Sequence, residues 1–135
     1  MELTAGATAT VTYTVREPDL ASSLALEPTD RFPRVFATSR MVSVMELAAA
    51  RVLRPLLGPG ELSVGITIDV THTAPTPVGG TVRATATFVG REGKKLLFEL
   101  VAEDDGGEIG RGRHQRAIVA AERLEQGAAA RGKKG

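Results

Sequence analysis

Hydrophobic and polar residues alternate in several stretches of this chain and follow a helical period in one. In Ala7–Arg16 (ATATVTYTVR), Val11, Tyr13 and Val15 alternate with threonines, which predicts a strand with one buried face. In Leu62–Thr73, Val64, Ile66, Ile68 and Val70 alternate with Ser63, Gly65, Thr67 and Asp69, which puts His72 on the apolar face at the strand end. Three more strand-like segments follow. Thr81–Val89 comes after Gly79-Gly80, Lys94–Glu103 after Arg91-Glu92-Gly93, and Glu108–Ala121 after Asp104-Asp105-Gly106-Gly107.

From Thr38 to about Leu57 the period changes. On a helical wheel Met41, Val42, Val44, Met45, Ala48, Ala49, Val52, Leu53, Leu56 and Leu57 share one broad arc. Arg40, Ser43, Arg51 and Arg54 lie opposite, with Leu47 among them. Thr38 or Ser39 is placed to cap the start, Pro55 distorts the last turn and Gly58-Pro59-Gly60 ends it.

The order is strand, helix, four strands. Short turns make the last four strands antiparallel neighbours, and one amphipathic helix against one antiparallel sheet is an α+β architecture. The expected fold is the hotdog arrangement, an antiparallel sheet wrapped around one long central helix. The expected domain is residues 1–124, with residues 125–135 (EQGAAARGKKG) a mobile tail. Glu17–Pro33 carries Pro18, Pro28 and Pro33 and reads as a long, lid-like loop. The exposed edges of such a sheet predict pairing with a second copy.

Composition removes several classes. A net charge of +1 gives no field for nucleic acid or an anionic membrane. One Tyr, four Phe and no Trp offer few stacking platforms. There is no cysteine, so disulfides and thiolate chemistry are excluded. No apolar run approaches the length of a membrane span or a signal peptide, and a cytoplasmic protein is the expectation.

Three polar residues near the helix are candidates for chemistry. Glu46 falls between Leu53 and Leu57 on the wheel, where a carboxylate needs a partner or a route to water. His72 is an acid/base candidate, and its alternative is a half-exposed strand-end histidine. Thr38 is a plain N-cap or a hydroxyl aimed at a substrate carbonyl. Gly65 interrupts a β-branched strand and marks a bulge or a close approach. Arg116 shares alternation with His114 and Ile118, as a surface charge or an anchor. With only two histidines and no ligand spacing, no metal or other cofactor is expected.

The stretches FPRVFATSRMVSVME (Phe32–Glu46), VGITIDVTHTAPTP (Val64–Pro77) and EIGRGRHQRAIV (Glu108–Val119) together resemble the fluoroacetyl-CoA thioesterase family of hotdog proteins, over roughly Thr8–Arg123. The resemblance implies hydrolysis of a small acyl-CoA, with Thr38, Glu46 and His72 at the catalytic positions. It implies that Gly65 contacts the acyl group, that Arg116 lies near the coenzyme A part and that Phe32 gates the acyl pocket. It also implies a homodimer with acyl-CoA bound where the subunits meet. Ser39-Arg40 departs from the glycine and aromatic residue expected there. Phe32 and Phe36 together suggest a narrow pocket. Two other readings are a non-catalytic acyl-CoA-binding module and an enoyl-CoA hydratase-like enzyme.

Overall fold

The computed structural model describes residues 2–133. Strand β1 (Thr8–Thr14) is followed by two short 3-10 turns, Glu17–Asp19 and Ala21–Leu24, and then by helix α1 (Thr38–Leu53). Strands β2 (Glu61–His72), β3 (Thr81–Glu92), β4 (Lys95–Asp104) and β5 (Gly107–Ala120) come next, and helix α2 (Ala121–Gly132) closes the chain. The five strands form one antiparallel sheet in the order β1-β3-β4-β5-β2, with β1 and β2 at its edges. The β3–β4 hairpin turns through Gly93 at φ 63°, a conformation that favours glycine.

Helix α1 buries Met41, Val44, Met45, Ala48, Ala49, Val52 and Leu53, seven members of the predicted arc. Leu47 stays on the outer side. The sheet meets the helix with Val82, Ala84, Ala86, Leu100 and Ala102, all fully or almost fully buried. Alanines on both surfaces let the helix lie close to the strands, and Met, Leu and Phe fill the flanks. Burying each of the large side chains contributes about 1.5–3 kcal/mol. The regular helix stops at Leu53 rather than near Leu57, because Pro55 forces a 3-10 turn over Arg54–Leu56.

Two other expectations change. The loop after β1 is pinned, with Leu20 bridged to Phe36 and the Ala21 N–H donating to the Val35 carbonyl. Residues 125–132, expected to be mobile, continue α2. Glu, Gln, Arg and Ala are strong helix formers, and together they outweigh the roughly 1 kcal/mol cost of Gly127 inside the helix. The last two residues of that segment lie outside the described residues.

Strand β2 contains the feature that governs the site. Gly65 pairs with Arg116 and Thr67 with Gln115, so Ile66 is an unpaired extra residue, a β-bulge. The bulge shifts the alternation. Gly65, Ile68, Val70 and His72 lie opposite Arg116, His114, Gly112 and Gly110, alternate residues of β5 that share one face of the sheet. Among the described residues, Leu62, Ile66 and Ile68 are large apolar side chains of this edge strand left exposed.

Candidate active site

Two polar clusters line the helix-facing side of the sheet. The first joins the start of α1 to the end of β2. Thr38 is the first helical residue, Ala37 takes the N-cap position, and no side chain caps the helix. The Thr38 hydroxyl instead lies 2.8 Å from His72 Nδ1. The imidazole Nε2 is buried and without a hydrogen-bond partner. Burial pushes the His72 pKa below the usual histidine value, so the ring is neutral near pH 7. A cleft of about 370 Å³ opens beside this pair, walled by Pro33, Val35, Phe36, Ala37 and Thr73. Of the two phenylalanines expected to narrow the pocket, Phe36 is buried and lines the cleft, whereas Phe32 is 53% exposed and outside the cleft lining.

The second cluster sits at the middle of α1. Glu46 Oε2 accepts a hydrogen bond of 2.9 Å from Arg116 Nη1. The carboxylate is 40% exposed and the guanidinium 7%. Arg116 is fixed further by Nε donating to Ser63 Oγ and Nη2 donating to the Ser63 carbonyl, both at 3.0 Å. Its Nη1 is also 3.1 Å from His114 Nε2. Glu46, Gly65, Ile66, Thr67, Ile68 and His114 line a smaller cleft of about 180 Å³. The partner that the Glu46 position on the wheel called for is thus Arg116. That arginine, anticipated near coenzyme A, is buried with its donors directed at Ser63, Glu46 and His114.

Within one chain the two clusters do not meet. Thr38 and Glu46 are eight residues apart on α1, a rise of about 12 Å. Gly65, against which Glu46 lies, is roughly 20 Å along β2 from His72. His114, which sequence reasoning noticed only as a second histidine, is 2% exposed and central to the second cluster. Its signal was two-residue spacing from Arg116 on one strand face. No group of His, Asp and Glu suited to holding a metal occurs among the described residues. No helix among them is long and apolar enough to cross a membrane.

Comparison with solved structures places the chain among the hotdog-fold thioesterases. A thioesterase superfamily member from Thermus thermophilus aligns at TM-score 0.87 and 25% identity, covering 98% of this chain and 96% of that one. The chain belongs to the fluoroacetyl-CoA-specific thioesterase family, whose model matches residues 15–122. The fluoroacetyl-CoA thioesterase of Streptantibioticus cattleyicolor is 49% identical over 93 residues, 69% of this chain and 67% of that one. A point mutant of the fluoroacetyl-CoA-specific thioesterase FlK, solved with fluoroacetate and CoA, aligns at TM-score 0.85 and 40% identity over 90% of this chain and 99% of that one. Another FlK structure reaches TM-score 0.91 at 38% identity, covering 96% and 98%.

Proposed function

We propose that this chain hydrolyses a small acyl-CoA to the carboxylic acid and free coenzyme A, as a homodimer in which Glu46 of one copy works with Thr38 and His72 of the other. The observation that carries the dimeric site is the separation of the two clusters on an edge strand whose Leu62, Ile66 and Ile68 are exposed. An antiparallel pairing of β2 with the partner's β2, centred near Ile68, sets Gly65 beside the partner's His72. It also covers the apolar edge. Each dimer then has two such composite sites.

In this reading Arg116 holds one oxygen of Glu46 and leaves the other for chemistry. Glu46 takes a proton from water as the water oxygen attacks the thioester carbonyl. The tetrahedral intermediate collapses with cleavage of the C–S bond, and the thiolate leaves. Glu46 hands its proton to His72 as the neutral ring gives its own to the sulfur, so both side chains end as they began, and the Thr38 hydroxyl orients the ring or the carbonyl. The balance is one water consumed, with one acid and one thiol released. Phe36, Pro33 and Val35 favour a short acyl chain, fluoroacetyl among them. A charged coenzyme A ester as substrate supports a cytoplasmic location.

The test is complementation. Glu46→Gln and His72→Ala are each expected to abolish most thiol release from acetyl-, fluoroacetyl- and propionyl-CoA. Mixed and allowed to exchange subunits, the two dead variants form heterodimers with one intact site, which restores about a quarter of wild-type activity. No recovery despite proven exchange would overturn the shared site. Binding without turnover by the wild type would favour an acyl-CoA-binding module, and hydration of an enoyl-CoA would favour the hydratase.

A further inference from the structure

His114 makes two contacts that fix its state. Nε2 faces Arg116 Nη1 at 3.1 Å, and a guanidinium only donates, so Nε2 carries a lone pair. Nδ1 faces the Thr67 carbonyl at 2.7 Å, and a carbonyl only accepts, so Nδ1 carries the proton. The ring is therefore neutral and in a single tautomer. The same Nη1 that donates to His114 donates to Glu46 Oε2. The ring packs against Phe98 with centroids 6.2 Å apart.

We infer that His114 is a positioning residue for the reaction, an acceptor that aims the Arg116 guanidinium and through it the Glu46 carboxylate, and that its protonation releases this aim. The inference rests on the hydrolase reading above. An imidazolium at position 114 has no lone pair for Nη1, and it sets a second positive charge against Arg116. The groups facing His114 are Arg116 from β5, the Glu46 carboxylate from α1, the Thr67 carbonyl from β2 and the uncharged Phe98 ring from β4. Burial and the Arg116 charge lower the His114 pKa, and the Thr67 carbonyl and Glu46 oppose them. The release therefore belongs to acidic solution.

Two variants separate this role from packing. His114→Phe keeps a ring of similar size and removes the acceptor. His114→Gln sets an amide oxygen near the Nε2 position, an acceptor that does not titrate. Thiol release from acetyl-CoA would be followed from about pH 5 to about pH 9 with kcat and KM resolved. His114→Phe is expected to lower kcat roughly ten- to hundredfold with little change in KM. His114→Gln is expected to retain turnover within a few-fold, with its acid limb displaced to lower pH than wild type. Full kcat in His114→Phe would overturn the inference, as would an acid limb in His114→Gln that coincides with wild type. In either case dependence on Glu46 would leave the hydrolase reading standing. A wild type that releases no thiol would overturn both.

Discussion

The carboxylate of Glu46 occupies the space that a side chain at Gly65 would need. A Cβ on Gly65 would lie 2.6 Å from Glu46 Oε2, closer than such atoms come, with His114 Cε1 at 3.3 Å and Arg116 Nη1 at 3.6 Å. The backbone of Gly65 does not adopt positive φ, so the requirement is one of space alone. Gly65→Ala is therefore expected to push Glu46 off Arg116 and lower kcat by at least tenfold, about 1.4 kcal/mol of transition-state stabilisation. Its melting temperature should fall by a few degrees, since the strand geometry suits alanine and Arg116 keeps its bonds to Ser63 but loses its carboxylate partner. Steady-state kinetics beside a thermal melt test this, and wild-type kcat in the variant would show that Glu46 is not held where the reaction needs it.

Thr38 separates catalysis from capping. An N-cap threonine replaced by alanine costs about 1 kcal/mol of stability. Thr38 is not the cap, and its hydroxyl is directed at His72. Thr38→Ala should lose turnover while its urea midpoint stays close to wild type, and Thr38→Ser should recover part of the activity. A midpoint loss with unchanged turnover would return Thr38 to a structural role.

The stability of the fold should depend on pH in a definite direction. His72 and His114 both have pKa values lowered by burial. The unfolded chain therefore binds their protons more readily, near the usual histidine pKa of about 6.5. Stability is full above that pH and falls as the pH drops through the window beneath it. His114→Gln should flatten part of this slope. Urea denaturation at a series of pH values is the measurement, and a midpoint that rises on acidification would contradict the placement of the two rings.

Asp19 supports the start of α1 from below. It is 2% exposed and accepts from the Tyr13 hydroxyl at 2.6 Å and the Arg16 N–H at 2.8 Å. Burial alone would raise its pKa, but these bonds with the Arg16 and Arg40 charges bring it below the usual carboxylate value. Its carbonyl accepts from the Ala37 N–H, one residue before Thr38. Asp19→Ala leaves two donors without an acceptor and should cost roughly 1–3 kcal/mol in a denaturant titration. Tyr13→Phe, which leaves the carboxylate its backbone donor, should cost less.

Much of this was legible from residue patterns because the pattern and the burial share a cause. The arc from Met41 to Leu53 is the buried face of α1, and Glu46 at its margin has the partner its position demanded. Two-residue alternation and glycine turns located every strand. Gly65 marked a bulge or a close approach, and both occur there, but which residue is extra was not legible, since Val64, Ile66, Ile68 and Val70 alternate without a break in the letters. Only the pairing of Gly65 with Arg116 and Thr67 with Gln115 reveals that one residue is extra. The separation of Glu46 from His72 was hidden for a related reason. Motif spacing lists the residues of a site without saying whether one chain or two bring them together. Helix α2 was missed because it buries no side chain, so its sequence has no apolar stripe to read.

A strand is read two residues at a time, and Ile66 acts on that reading as a one-letter frameshift. Ser63 and Gly65 are in one frame, Ile68, Val70 and His72 in the other, yet all five lie opposite alternate residues on a single face of β5. Were Ile66 drawn into regular pairing, with no bulge, one of the two frames would invert. Either Gly65 and Ser63 would turn away from Glu46 and Arg116, or His72 would turn away from Thr38. The bulge, rather than the letter at position 66, thus holds the two frames together, and a strand lacking Ile66 would set Gly65, Ile68, Val70 and His72 on one face by plain alternation.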